Sequence, residues 1–245
     1  MGENLDTLIE KMILDNYQSL HKDITASTNS DAVLHSILTA IAMGDGRRHS
    51  TYKRSRVPQN EADEAINELI KRAIILSEPL KNLSNDRGDF DRLKLAVAFV
   101  RFWFAFVSPL FQGIRDRNYD EFRERFANHK QEFVTSIYEE LFRDLIILSS
   151  DDAIVEMASY YDGDVDFELY ATTKSNKTII GTLKLSKDKM KKSDLTRLQE
   201  KASSINIKPD IYVLFSKNGF SNELKAMKGA DLKLFSAKNL KSIIE

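Results

Sequence analysis

The chain has 245 residues, 42 % hydrophobic and 30 % charged, with 36 Lys+Arg against 37 Asp+Glu and no cysteine. That composition fits globular structure with one large core or two smaller ones, and the missing cysteines exclude disulfides, thiolate catalysis and cysteine-ligated zinc or iron–sulfur clusters. No apolar run approaches the roughly 20 residues of a membrane span, and the start MGENLDTLIE lacks the basic and apolar regions of a signal peptide, so the expectation is a cytoplasmic protein with no membrane partner.

Leu5, Leu8, Ile9, Met12, Ile13, Tyr17 and Leu20 recur at i, i+3, i+4 spacing and predict one amphipathic helix of about five turns. The polar segment 23–30, DITASTNS, is expected to break it, so 1–30 reads as an N-terminal helix and linker. Such a stripe packs either on the rest of the chain or on the same helix of a second copy, giving a homodimer. A second helix over 32–43 carries Val33, Leu34, Ile37, Leu38 and Ile41 and stops at Gly44. A short helix follows at 49–55. Pro58 opens a third helix, with Ala62, Ala65, Ile66, Leu69 and Ile70 inward. Ile74–Leu76 and Leu93–Leu95 read as two strands around the polar tip NLSNDRGD. Three helices and a two-stranded tip over 31–97 are the layout of a winged helix.

Residues 97–111, VAFVRFWFAFVSPLF, are the most apolar and aromatic stretch, and Pro109 ends it. The run is apolar on nearly every side, which predicts a buried core helix rather than a base-stacking role for Arg101 and Trp103. Amphipathic helices are expected at 118–128 and 130–148. Strands follow at 164–171 and 178–186, then a helix at 190–204 with Leu195, Leu198 and Ala202 inward. A strand at 211–215, the turn Ser216–Gly219, a short helix, a strand at 232–235 and a last helical turn close the chain. Residues 98–245 are thus a helical segment and an α/β domain, and the whole chain is α+β, or mixed. Residues 162–245 hold 16 basic against 11 acidic residues, a net of +5, while 98–161 hold 7 against 11, a net of −4. The basic excess lies beside the strands and suits either a polyanion partner or a solvated lysine surface.

Alternation along a strand puts Asp164, Asp166 and Glu168 on one face, with Val165, Phe167 and Leu169 opposite, and puts Thr182 with Lys184. An acid on one strand beside E-x-K on its neighbour is how metal-dependent nucleases of the restriction-endonuclease type build their site. Asp166 and Lys184 are in place, but Thr182 stands where the acid belongs, and a neutral hydroxyl cannot replace the missing charge on Mg²⁺. Arg47, Arg48, Lys53, Arg54 and Arg56 form a run of cations without an acid, where a winged helix would meet phosphates. The next helix opposes this with Glu61, Asp63, Glu64 and Glu68. It is therefore either a DNA-contact or a protein-contact element.

Several segments resemble one family: Ala40–Gly44, Glu68–Ile75, Arg101–Val107 with Pro109, Tyr138-Glu139, Tyr160-Tyr161, Val165–Phe167, Gly181–Lys184 and Phe215–Phe220, in that order. Together they look like the domain of unknown function found C-terminal to archaeal-type ATPases of bacteria and archaea. That resemblance implies a winged helix followed by a restriction-endonuclease-like PD-(D/E)XK fold, usually fused behind an ATPase. It implies Asp166, Lys184 and, from the preceding helix, Glu139 as catalytic residues, with Asp166 and Glu139 on Mg²⁺. The chain departs from the pattern twice. It has no G-x-x-x-x-G-K-[ST] motif, and the family's G-E-C-K reads Gly181-Thr182-Leu183-Lys184. The expected function is nucleic-acid or protein binding with a degenerate, non-cutting nuclease domain and no cofactor. The alternatives are an active Mg²⁺-dependent endonuclease acting on double-stranded DNA, and a non-enzymatic scaffold for a separate ATPase chain.

Overall fold

The computed structural model describes residues 4–28, 30–81, 91–162 and 165–241. The chain divides into two compact units, one of residues 1–78 and 91–133, the other of 79–90 and 134–245. The 97/98 boundary expected from the sequence falls inside the first unit. The tip NLSNDRGD and Asp164 lie outside the described residues. Among the described residues no helix is long and apolar enough to cross a membrane.

The first unit is helical. Its amino-terminal helix is interrupted: α1 (Leu5–Ile9) passes into a π turn over Glu10–Leu14, then α2 (Tyr17–Ser27). A π turn holds more residues than an α turn and so rotates everything beyond it. The buried line becomes Ile9, Leu14, Tyr17 and Ile24, while Met12 is 68 % exposed and Leu5 and Leu8 face outward. The sequence stripe is therefore half right. The expected break at 23–30 is also displaced, since α2 runs to Ser27 and Ile24 is buried. The helix docks within the unit: Tyr17 is 6 % exposed and stacks on Trp103 with ring centroids 5.6 Å apart and planes 7° from parallel.

α3 (Ala32–Ala42) starts at Asp31, whose carboxylate accepts from the amides of Val33 and Leu34. α4 (Arg48–Ser55) and α5 (Gln59–Lys71) follow, then the hydrogen-bonded neighbours β1 (Ile75–Lys81) and β2 (Asp91–Leu95). The aromatic stretch is α6 (Ala98–Phe102), a π turn over Trp103–Val107 and a 3₁₀ turn over Ser108–Leu110. Trp103, Phe104, Phe106 and Val107 are buried in the core that also takes Ile37, Leu38, Ile66 and Leu69, as their apolar surroundings require. α7 (Phe111–Arg115) leads to α8 (Asp120–Ser149), one helix where two were expected. No Gly or Pro interrupts 118–149, so nothing stops it.

The second unit is a five-stranded mixed sheet with helices. β3 (Ile154–Asp162) was not foreseen, because IVEMASYYD shows no clean alternation. β4 (Val165–Thr173) and β5 (Thr178–Lys184) follow, then α9 (Lys192–Ser204), β6 (Ile211–Ser216), α10 (Asn222–Ala226) and β7 (Leu232–Ser236). The strand order is sequential from β3 to β7. β3–β4–β5 are antiparallel, and β5–β6–β7 are parallel. One face packs on Phe142, Leu145 and Ile146 of α8. The other packs on Leu195, Leu198 and Ala202 of α9. Gly181 permits the α8 side: a Cβ there would meet Phe142, Leu169 and the Val213 carbonyl, each at 3.0 Å.

The rotated stripe makes a paired prediction. Tyr17→Ala removes a buried aromatic ring and is expected to cost about 3 kcal/mol or more, whereas Met12→Ala should stay within about 0.5 kcal/mol. Urea unfolding of both variants checks this; equal losses would contradict the π turn.

Candidate functional site

Two segments bring the site's first side chains together. Along β3 and β4 the register shifts: Ala158 pairs with Tyr170, but Tyr160 pairs with Phe167. Glu168 and Leu169 together oppose Ser159, which is a β-bulge. Arg143 of α8 is fixed there, donating to the Ser159 hydroxyl at 2.6 Å and to the Glu168 carbonyl at 3.3 Å. The bulge defeats simple alternation. Phe167 enters the α9-side core and Leu169 the α8-side core, so the expected shared face of Val165, Phe167 and Leu169 does not exist. On β5, Thr182 and Lys184 follow Ile180, which packs on the α9 side.

These strand ends and α9 line an open cleft of about 330 Å³, made by Asp166, Glu168, Thr182, Leu183, Lys184, Met190, Asp194, Arg197, Leu198 and Lys201. Asp166, Thr182 and Lys184 thus meet as the sequence suggested. Glu139 is not among the lining residues, although its charge acts on Glu168. Asp194, Arg197 and Lys201 were missed. Their i, i+3, i+7 spacing on one helix face beside the inward Leu195 and Leu198 was the available signal.

The charges in the cleft are matched internally. Lys184 Nζ lies 3.2 and 3.1 Å from the two carboxylate oxygens of Asp194, which also accepts from the Lys191 amide at 2.8 Å. Burial pushes the Asp194 carboxyl up, but these bonds outweigh it and hold it below its usual range. Lys201 Nζ lies 2.8 Å from Asp166 Oδ1 and 3.5 Å from the Asp166 carbonyl. Glu168 is half-buried. Desolvation raises its carboxyl above the usual range, the negative charges of Asp166 and Glu139 push the same way, and bonds from a backbone amide and the Thr182 hydroxyl offset this only in part. Ser216, register partner of Lys184 on β6, is fully buried, with no hydrogen-bond partner for its hydroxyl among the described residues.

Mg²⁺ requires near-octahedral oxygen ligands, including one or two ionised carboxylates. Here Thr182 is neutral, burial raises the Glu168 carboxyl above its usual range, Asp194 is engaged by Lys184 and Asp166 by Lys201. Among the described residues no three acids or histidines converge on one point. The donor set does not fit the ion.

In the first unit the expected cation cluster is only partly free. Arg48 makes a two-pronged contact with Asp91 at 2.8 and 3.0 Å and approaches Asp63 at 3.6 Å. The Asp91 contact raises the Arg48 guanidinium further above its already high value. Arg47 lies 3.9 Å from Asp45. Lys53, Arg54 and Arg56 are exposed, without an ion pair among the described residues. On α5, Glu61, Glu64 and Glu68 are exposed as well.

Residues 103–198 match the model of DUF234, described as archaea bacterial proteins of unknown function. That is the family the sequence resembles. The DUF234 match runs from the aromatic block through α8 and the β3–β5 strands into α9; it includes Asp166, Thr182, Lys184 and Asp194 and stops short of Lys201. No curated protein matches the chain. Among solved structures, protein VC1899 from Vibrio cholerae matches at 14 % identity over 94 % of this chain, with a TM-score of 0.29. The chain spans 54 % of that protein's length.

The raised Glu168 pKa has a signed consequence. A folded-state carboxyl above its unfolded value keeps its proton longer, so its stabilisation is complete below the ordinary value of 4.5 and is lost as pH rises through the folded value. Glu168→Gln keeps the shape without the charge. It is expected to raise the unfolding temperature at neutral pH and to flatten the loss seen on going up from pH 4.5. Identical melting curves for variant and wild type at neutral pH would contradict a strained carboxylate.

Proposed function

We propose that the chain is a nucleic-acid-binding protein built from a winged helix and a restriction-endonuclease-like fold, and that its cleft holds a phosphodiester chain without cutting it. The observation that carries the reading is the internal pairing of Lys184 with Asp194 and of Lys201 with Asp166 around the neutral Thr182. A metal-dependent cutter needs two ionised acids on one ion and a lysine free to support the attacking water. Those groups are engaged here. The order α3–α4–α5–β1–β2 supports the winged helix. Antiparallel β3–β4–β5 followed by α9 and parallel β6 supports the nuclease-like fold.

Binding has its own support. Lys187, Lys189, Lys191 and Arg197 are exposed along the segment that forms the cleft's α9 side, and none makes an ion pair among the described residues. Free cations beside a cleft are what phosphate contact requires, each releasing a counterion from the polyanion. In the first unit the free cations Lys53, Arg54 and Arg56 would add phosphate contacts. The exposed Glu61, Glu64 and Glu68 of α5 favour a second reading there, with that helix meeting a protein partner such as a separate ATPase chain.

Gel shift on duplex DNA, run beside a cleavage assay with Mg²⁺ and Mn²⁺, tests the reading. Salt-sensitive binding without cleavage is expected. Changing Lys187, Lys189, Lys191 and Arg197 together to Ala should reduce the slope of log K against log salt by roughly 0.9 for each phosphate that is no longer neutralised. Unchanged binding by that variant would overturn the cleft reading. Sustained cleavage abolished by both Asp166→Ala and Lys184→Ala would establish a working endonuclease instead.

A further inference from the structure

We propose that the Lys201 ammonium stands in the cleft in place of a divalent ion, so that this unit meets phosphate with its own fixed cations and keeps metal out. The phosphate part rests on the reading above; the exclusion of metal does not.

Three features of the cleft converge. Lys201 Nζ contacts the side-chain oxygen of Asp166 at 2.8 Å and approaches its main-chain oxygen at 3.5 Å. Carboxylate and carbonyl oxygens are the donors a hard cation would claim. The neighbouring positions offer little to a competing site: Thr182 carries no charge, both oxygens of Asp194 face Lys184, and the half-buried Glu168 carboxyl is hydrogen-bonded to Thr182. Finally, the cations fixed at the cleft act on any ion entering it. An ammonium about 5 Å from a divalent ion weakens its binding on the order of tenfold even at the dielectric constant of water. The side chains of Lys201 and Asp166 are 38 % and 64 % exposed. A pair so exposed adds little to folding stability, so its removal leaves the fold standing and exposes its other role.

The test is Mn²⁺ titration by calorimetry on the full chain, with thermal unfolding recorded for every variant. Wild type is expected to give no saturable heat in the millimolar range. Lys201→Gln should gain Mn²⁺ binding on the order of tenfold or more above wild type, with Lys201→Ala as a second neutral variant should the first unfold. Adding Asp166→Asn to the neutral variant should abolish the gain, and Lys201→Arg, which keeps the charge, should remain metal-free. Mn²⁺ binding by wild type that Asp166→Asn removes would overturn the proposal, because Lys201 would then be a side chain that metal displaces. A neutral Lys201 variant that folds and binds no better than wild type would overturn it equally. Neither result depends on nucleic acid, so failure here and failure of DNA binding are separate outcomes.

Discussion

The sheet of the second unit is covered on both faces, and that constraint decides where its chemistry can lie. β4, β5 and β6 give Phe167, Ile180 and Leu214 to one core and Leu169, Ile179, Val213 and Phe215 to the other. A charged side chain in either layer would lose its hydration without a partner. The charged side chains Lys184 and Asp166 therefore emerge where the strands run out of cover, while Ser216 and Arg143 stay buried. β5 and β6 are parallel, so their carboxyl ends coincide, and there Lys184 stands beside Ser216. Gly181 tightens the same constraint, since the absence of its side chain lets Phe142 settle on the sheet. Thr182 follows directly on the α9 side. The close approach of α8 and the polar mouth of the cleft are thus consecutive residues of one strand.

The bulge at Glu168–Leu169 serves the same end from β4. A regular strand would send Phe167 and Leu169 to one core. The extra residue splits them between two, on the stretch from which Asp166 and Glu168 line the cleft. Arg143 donates to the carbonyl of Glu168 at the bulge. Two acids on one short segment would repel, and the structure answers differently at each. Asp166 is met by Lys201, while Glu168 is desolvated and drawn toward its neutral form. The Lys184–Asp194 pair is less exposed than the Lys201–Asp166 pair. Of the two, it is the one that ties β5 to the first turn of α9.

The regular parts of this arrangement were legible in the sequence. Strong 3.6-residue periodicity located α3, α5 and α9 to within a few residues, and the β-branched residues of Thr178–Gly181 and Ile211–Val213 marked central strands. Asp166, Thr182 and Lys184 could be placed together because their spacing fixes them on neighbouring strands. Apart from α8, read as two helices, and α2, which runs on into the expected break, the failures are departures from regular geometry. A π turn over Glu10–Leu14 rotated the first stripe, the β4 bulge reversed a face, and β3 lacks alternation where it meets that bulge. None of these leaves a periodic signature. The partners of the site residues were illegible for another reason. Asp194 and Lys201 reach Lys184 and Asp166 only through the packing of α9 on the sheet, and no local pattern encodes that distance.

The same distinction between a charge in the sequence and a charge in the fold governs the first unit. Five cations between Arg47 and Arg56 read as one phosphate-binding run. In the structure Arg48 is a fastener: its guanidinium joins α4 to Asp91 on β2 and comes near Asp63 on α5. Asp91 in turn accepts from Ser77, and these bonds keep its carboxyl below the usual range despite its burial. Breaking such a partly buried pair leaves a desolvated charge behind, so Arg48 is held more firmly than a phosphate contact made in water would hold it. The cations left over, Lys53, Arg54 and Arg56, share the unit with the exposed acids of α5, and their long-range fields cancel within about a Debye length. In the second unit, Lys187, Lys189, Lys191 and Arg197 have only Asp188 and Asp194 among them in sequence, and Asp194 is already neutralised by Lys184. The basic excess of residues 162–245 therefore includes four exposed cations on the segment beside the cleft.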